Sequence, residues 1–392
     1  MPDFYPPKLS PPLVWAVQRA SPLVARYYHK MRLEVQPSCL ETLRTLQPHR
    51  LLLLPNHPTH HDWIALFLLS ARWGQPFHYL AAHERFGGAT DWFLQRMGAY
   101  SLRRGLGDRP SIAKTMELLS QPRCRLVVFP EGGFSFQNDT VMPFRVGAVQ
   151  LAMQTMQRQV RQGTPVEALE DLYAVPIALK YRYHGDMAPV IEQTLNQLEK
   201  ALWVFPSSTD WYERLLVIGE QVLLGFERDY GLPIVETVWR SRPDRIQRVK
   251  DHILNYCERT LKIAPNLHEP LRERVYRIQR SLEAQAETLD LRTQEAIARA
   301  AAQLLNFNAI SDGYVAANPT PERFLDTLIR LERAVFGIDQ PPPKGDRTVI
   351  LRVGEPVNLT QHLDDYTQDR TQTVEQLTEK LRSTVQTNLD LM

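Results

Sequence analysis

The sequence predicts an α/β protein, a mixed layered sheet with flanking helices, interrupted by a long all-helical insertion. Three observations predict it. Short apolar runs alternate with helical periods from Leu51 to Tyr183, the pattern of strands covered by helices. From about Asp186 to Asp339 strand signals almost vanish while helical periods continue. After the Pro-rich linker DQPPPKGD a strand pattern returns as TVILRV, Thr348–Val353, and a strand that comes back after such an excursion must pair with the first part. The expected divisions are therefore N-terminal amphipathic helices over 1–45 and a first part of the α/β core over 46–185. A helical insertion follows over 186–345, then a closing strand over 346–360 and a C-terminal helix over 361–392.

Taken in order, the chain first shows Leu13, Val14, Trp15, Val17, Leu23, Val24, Tyr27 and Tyr28 among Arg19, Arg26, Lys30 and Arg32. An apolar and aromatic stripe with a basic complement suits a helix lying on a membrane surface, and equally one packed on its own domain. Pro22 is expected to divide it into two short helices. Leu51–Leu54 reads as a buried strand ending at Pro55, and Trp63 opens an apolar-periodic helix. Strands follow at Phe77–Ala81, Tyr100–Leu102, Arg125–Phe129 and Tyr173–Tyr183, with helices at Thr90–Met97, Ser111–Ser120 and Phe144–Gln159. In the insertion, Tyr212–Arg228 has a wide apolar face, Leu271, Val275, Ile278, Leu282 and Leu289 fall at heptad-like spacing, and Pro321–Phe336 is a further helix. A polar amphipathic helix runs from Thr373.

Composition narrows the function classes. The 392 residues can bury a large core. Lys plus Arg number 46 against 44 acidic residues, a balance that argues for no nucleic-acid partner. Cys39, Cys124 and Cys257 are scattered and form no C-x-x-C, which fits a reducing compartment without a zinc site. No charged-then-apolar leader opens the sequence, and no run reaches the roughly 18 apolar residues that a spanning helix needs. The expectation is a cytoplasmic protein peripherally associated with a membrane.

The chemistry gathers at the corner Asn56-His57-Pro58-Thr59-His60-His61-Asp62. His57 and Asp62 span it with an H-x-x-x-x-D spacing. A neutral imidazole can take a proton from an attacking hydroxyl if a carboxylate holds its other nitrogen. The substrate's own alcohol would then take the place of a hydrolase serine. The same residues allow two other readings. Thr59-x-x-Asp62 before an apolar run resembles a capping box, with an acid favoured in the first helical turn. His57, His60, His61 and Asp62 could also ligate a metal, as in a metal-dependent hydrolase.

The motifs that follow resemble one family in order. NHPTHHD is similar to the N-H-x-[ST]-x-x-D block of the glycerolipid acyltransferases, the 1-acylglycerol-3-phosphate acyltransferase family. Gly98 to Arg104 resembles its second block, Phe129-Pro130-Glu131-Gly132 its third, and Val175-Pro176-Ile177 its fourth. Phe144-Arg145-Val146-Gly147-Ala148 and the closing Gly354-Glu355-Pro356 also match. The resemblance covers Leu51–Tyr183 and Thr348–Leu359. It implies His57 as general base and Asp62 as its orienting carboxylate. Arg104 would contact an acceptor phosphate, since guanidinium forks match phosphate oxygens. Glu131 and Gly132 would shape the acceptor site, and Arg145 could be a second phosphate contact.

The resemblance also implies a fatty acyl thioester donor, acyl-CoA or acyl carrier protein, with no resident cofactor and no metal. A lysolipid acceptor and a membrane surface are the expected partners. The helix Trp63–Leu69 would wall the acyl groove, and Trp203–Trp211 would rest on the bilayer with the N-terminal helices. The third family block usually continues with an arginine where this chain has Phe134. Either Arg103 or Arg145 compensates, or the acceptor is less anionic than lysophosphatidate. That replacement also leaves open a non-catalytic, membrane-binding protein with the same fold.

Overall fold

The computed structural model describes residues 3–88, 90–104, 107–206, 208–233, 241–267, 269–309 and 313–392, with the side chains of 307–309 excepted. It divides into two compact units. The first comprises Met1–Arg103, Gly107–His184 and Asp346–Met392, and the second Arg104–Leu106 with Gly185–Gly345.

The first unit is built on one mixed eight-stranded sheet. Its strands are β1 (Met31–Val35), β2 (Arg50–Pro55), β3 (His78–Ala82), β4 (Ala99–Leu102), β5 (Arg125–Val127), β6 (Leu172–Tyr183), β7 (Arg347–Val353) and β8 (Val357–Asn358). The order is β1-β7-β6-β2-β5-β3-β4, with β8 beside β6. β2 is parallel to β5 and β6, while β7 runs antiparallel to β6 and parallel to β1. The four leucines of β2 show why the sheet is covered on both sides. Side chains alternate faces along a strand. Leu51 and Leu53 enter a core with α1 (Pro11–Tyr27), α2 (Pro37–Thr45) and α3 (Asp62–Trp73). α4 (Thr90–Arg96) leads into β4, its Leu94 packed with Tyr79, Ala81 and Ala99, and the opposite face carries α5 (Arg109–Leu119) and α6 (Gly147–Arg161). Leu52 and Leu54 pack there with residues of α5 and α6.

The second unit is helical among its described residues: α7 (Ala188–Leu202), α8 (Trp211–Asp229), α9 (Arg242–Thr260), α10 (Leu271–Ala284), α11 (Leu291–Ala309), α12 (Tyr314–Ala317) and α13 (Pro321–Phe336). Its own core joins Leu223, Ile253, Val275, Ile278, Ile297 and Leu304. Buried arginines tie three successive helices, α8, α9 and α10, each to the one before. Arg214 of α8 bonds Glu199 of α7 at 2.7 Å, Arg245 of α9 bonds Glu227 of α8 at 2.7 Å, and Arg274 of α10 bonds Glu258 of α9 at 2.8 Å. Two-pronged arginine–carboxylate contacts of this kind fix register. The chain then returns through β7 and β8 to α14 (Leu363–Gln368) and α15 (Arg370–Asp390), whose Leu377, Leu381 and Val385 complete the core under α6.

The α/β class is as expected, and several elements differ from the sequence reading. The N-terminal stripe is one continuous helix, α1, with Pro22 inside it. Proline leaves the carbonyl four residues back without its donor, and here the Ser21 hydroxyl donates to that Gln18 carbonyl at 2.8 Å. Met31–Val35, unread in the sequence, is an edge strand in which Met31, Leu33 and Val35 are buried and Arg32 and Glu34 exposed. The heptad-like run stops at Ala284, and Leu289 lies in the turn before Asp290, whose carboxylate accepts from Thr293 at 2.9 Å.

Candidate active site

The corner between β2 and α3 is pinned before any chemistry is placed on it. β2 ends at Pro55 while its neighbour β6 continues, so the polar backbone of β6 needs new partners there. Asn56 supplies them. Its amide donates to the Leu179 carbonyl at 3.0 Å and accepts from the Leu179 N–H at 2.7 Å. On the next wall, the Ser135 N–H donates to the His57 carbonyl at 2.8 Å.

His57 and Asp62 meet. His57 Nδ1 lies 2.7 Å from Asp62 Oδ2, with the imidazole 12% exposed and the carboxylate wholly buried. The same Oδ2 accepts the Thr59 N–H at 2.9 Å, and Oδ1 accepts the Thr59 hydroxyl at 2.9 Å. The capping box read in the sequence does not form as such: α3 begins at Asp62 with His61 at its N-cap and no side-chain cap, while the Asp62 carboxylate takes both Thr59 and His57 as partners. Asp62 Oδ1 also accepts the Tyr181 hydroxyl at 2.7 Å. With Nδ1 bonded to a carboxylate, the ring carries its proton there and presents Nε2 as the basic nitrogen. The imidazole stacks on Phe129, centroids 4.0 Å apart, and meets the edge of Phe134 at 4.4 Å.

The third block folds against this pair. Glu131 is buried and its Oε1 accepts the His57 backbone N–H at 3.1 Å. Gly132 has φ +71°, and a Cβ there would lie 2.6 Å from Arg145 Cζ. The positive φ favours glycine there, and any side chain would displace the Arg145 guanidinium that lies against it. The Arg145 N–H donates to the Pro130 carbonyl at 2.8 Å. The structure thus brings His57, Asp62, Glu131, Gly132 and Arg145 together. The other two arginines have these contacts. Arg103 bonds Asp3 at 2.8 Å. Arg104, grouped with the helical unit, bonds the Tyr276 hydroxyl at 3.1 Å and lies 4.8 Å from the centre of its ring. Phe134, in the place of the family arginine, has the guanidinium of Arg85 5.7 Å from its ring centre.

His60 and His61 part company. The His60 ring is buried against Phe134 and Phe136, at 3.9 and 5.3 Å between centroids. His61 Nδ1 accepts from Arg347 at 2.8 Å. Burial, the Arg347 cation and His29 push the His61 imidazole down to about 3, so it is neutral at working pH. Among the described residues no three His, Cys, Asp or Glu side chains are arranged to hold one metal ion.

Tyr181, Arg347 and Asn138 are structural parts of the site that motif reading passed over, and Asn56, quoted in the first motif, was given no role there. Their signal was faint: Tyr181 follows Val175, Ile177 and Leu179 on one alternating face of β6, a polar tip at the end of an apolar row. Residues 38–180 match the family model described as Acyltransferase. No curated protein matches the chain.

Proposed function

The chain carries an Acyltransferase-family domain over residues 38–180, and from that premise we propose that it moves a fatty acyl group from an acyl thioester to the hydroxyl of a lysophospholipid or related glycerolipid. The domain supports acyl transfer in general. The finer reading rests on one observation, the 2.7 Å contact between His57 Nδ1 and a wholly buried Asp62.

The acceptor hydroxyl is deprotonated by His57 Nε2 as its oxygen attacks the thioester carbonyl. Asp62 stabilises the imidazolium that forms. The tetrahedral intermediate collapses with cleavage of the C–S bond, the imidazolium returns the proton to the leaving thiolate, and an ester and a free thiol remain. Phe129 and Phe134 flank the imidazole and limit water at the base, which favours transfer over hydrolysis. Arg145 beside Gly132 is the cation best placed for an acceptor phosphate, with Arg85 across the Phe134 ring as a second. We assign the donor to acyl-CoA or acyl carrier protein and require no resident cofactor.

The lipid acceptor resides in a bilayer, and α1 is the element suited to meet it. Its buried residues are Val14, Gln18, Ser21 and Ala25, while Trp15, Leu23, Val24 and Tyr27 are exposed. A helix that buries Gln18, Ser21 and Ala25 while leaving Trp15, Leu23, Val24 and Tyr27 outward fits an interfacial surface. No helix among the described residues is long and apolar enough to cross a membrane.

The test is acyl transfer by the purified protein, with acyl-CoA and acyl-carrier-protein donors crossed against a lysolipid panel and products read by mass spectrometry. His57→Ala is expected to lose about two to four orders of magnitude in rate. Equal activity in the variant would sink the general-base reading, and an ester product with one lysolipid would name the acceptor.

A further inference from the structure

Asp62 has one partner that does not belong to its own corner. Tyr181 reaches it from β6, 119 positions along the chain, with its ring buried and its hydroxyl 2.7 Å from Asp62 Oδ1. The backbone beneath Tyr181 is held with equal care. Asn138 donates to the Tyr181 carbonyl at 2.7 Å and accepts the Tyr181 N–H at 2.6 Å. Two residues earlier Asn56 grips Leu179 in the same manner. Where β2 has ended, two amides therefore stand in for a neighbouring strand and hold this stretch of β6 at a set height beside α3.

The ring has a second neighbour. The Arg347 guanidinium, from β7, lies 4.6 Å from the Tyr181 ring centre while donating to His61. Packing alone would be met by phenylalanine. The hydroxyl adds a donor aimed at one carboxylate oxygen, the other being the one on His57. Burial and the neighbouring Asp62 raise the phenol well above its ordinary range, so it stays a donor throughout the working range.

We propose that Tyr181 is a positioning residue for the acyl transfer: its hydroxyl holds Asp62 in line with His57 Nδ1 and draws negative charge toward Oδ1, which lowers the basicity of His57. The proposal rests on His57 as the general base. A carboxylate deprived of this donor keeps more charge on Oδ2 and stabilises the imidazolium more strongly. The other titratable and charged groups at the site are Glu131 at the His57 backbone, His60 and Arg85 about Phe134, Arg145 beside Gly132, and the Arg347–His61 pair with His29 behind the tyrosine. Each is left in place by a change at the phenol.

The experiment uses the full-length protein in two readouts. The His57 imidazole is titrated by NMR in histidine-labelled protein, with the His57→Ala spectrum for assignment. In Tyr181→Phe the midpoint is expected to rise by about one pH unit. In protein with 3-fluorotyrosine placed at position 181, a stronger donor of nearly the same shape, it is expected to fall. In transfer assays with oleoyl-coenzyme A and oleoyl-lysophosphatidate, Tyr181→Phe should lower kcat about tenfold, leave KM for the lysolipid unchanged, and move the acidic limb of the pH profile upward. Unmoved midpoints in both variants would overturn the proposal. The fluorinated protein decides the matter by itself if the phenylalanine variant fails to fold. Transfer that survives His57→Ala would instead overturn the general-base reading and the catalytic part of this proposal with it, whereas the NMR midpoint tests the coupling independently.

Discussion

Adjacent histidines at one turn have unlike surroundings. His60 is wedged between two phenylalanines, and His61 accepts a hydrogen bond from Arg347 while lying 5.4 Å from the ring of His29. The consequence for His61 is a pH dependence with a definite sign. Unfolded, it titrates near the usual histidine value of about 6.5; folded, it is held down to about 3 by burial, Arg347 and His29. The unfolded state therefore binds the proton first, and stability present above about pH 6.5 is lost as the pH falls toward 3. Denaturant unfolding across that range should show a component that is absent in His61→Asn, which keeps an acceptor for Arg347. Identical pH slopes in the two proteins would refute it. The doublet was visible in the sequence, but the arginine that distinguishes its members lies 286 positions away.

At the scale of elements, α1 and the helical unit show two ways in which local pattern is incomplete. The Trp, Tyr and Arg content of α1 was legible, as was Pro22; the hydroxyl that allows the helix to run through Pro22 was a single serine beside it. Which face α1 buries was not legible, because the stripe alone does not say which side meets α3. With Leu23 and Tyr27 exposed beside Arg19 and Arg26, replacing both Leu23 and Tyr27 by serine should weaken co-sedimentation with anionic liposomes tenfold or more, since each large apolar side chain contributes on the order of 1.5–3 kcal/mol when buried. Melting behaviour should barely change. Equal sedimentation of variant and parent, or none by either at low salt, would remove α1 as the docking surface. In the second unit the apolar periods announced helices, while the stepwise Arg–Glu contacts between consecutive helices required the fold to become visible.

For the molecule as a whole, the position of residues 185–345 is the main organising fact. Tyr183 of β6 pairs with Arg347 of β7, and the His184 N–H donates to the Asp346 carbonyl at 2.8 Å. The helical unit thus leaves and rejoins the sheet at one end of an antiparallel strand pair, as a hairpin loop would, and it has a hydrophobic core of its own. Replacing 185–345 by a short Asn-Gly type turn should therefore leave a soluble first unit that melts cooperatively with mixed α/β circular dichroism. Loss of cooperative melting would mean that the sheet depends on the helical unit for its stability. The return of a strand pattern at Thr348 was enough to anticipate an interruption of the core. The strand order was not readable, since alternation assigns faces but not neighbours.

What the sequence by itself determined is the α/β class, the long helical interruption and the corner on which His57 and Asp62 stand. These follow from short-range rules: a strand that stops at Pro55, a polar turn, and a helix that begins within seven residues. The motif order carried Glu131 and Gly132 as well, because their turn is local to the end of β5. Only the tertiary structure decided that Arg145 joins them while Arg103 and Arg104 take other partners, and that Tyr181, Asn56, Asn138 and Arg347 support the pair. The physical reason is reach. Each of those decisions depends on which strand lies beside which and at what height, and a hydrogen bond tolerates only a few tenths of an ångström in that choice. Periodicity along one strand contains no such information.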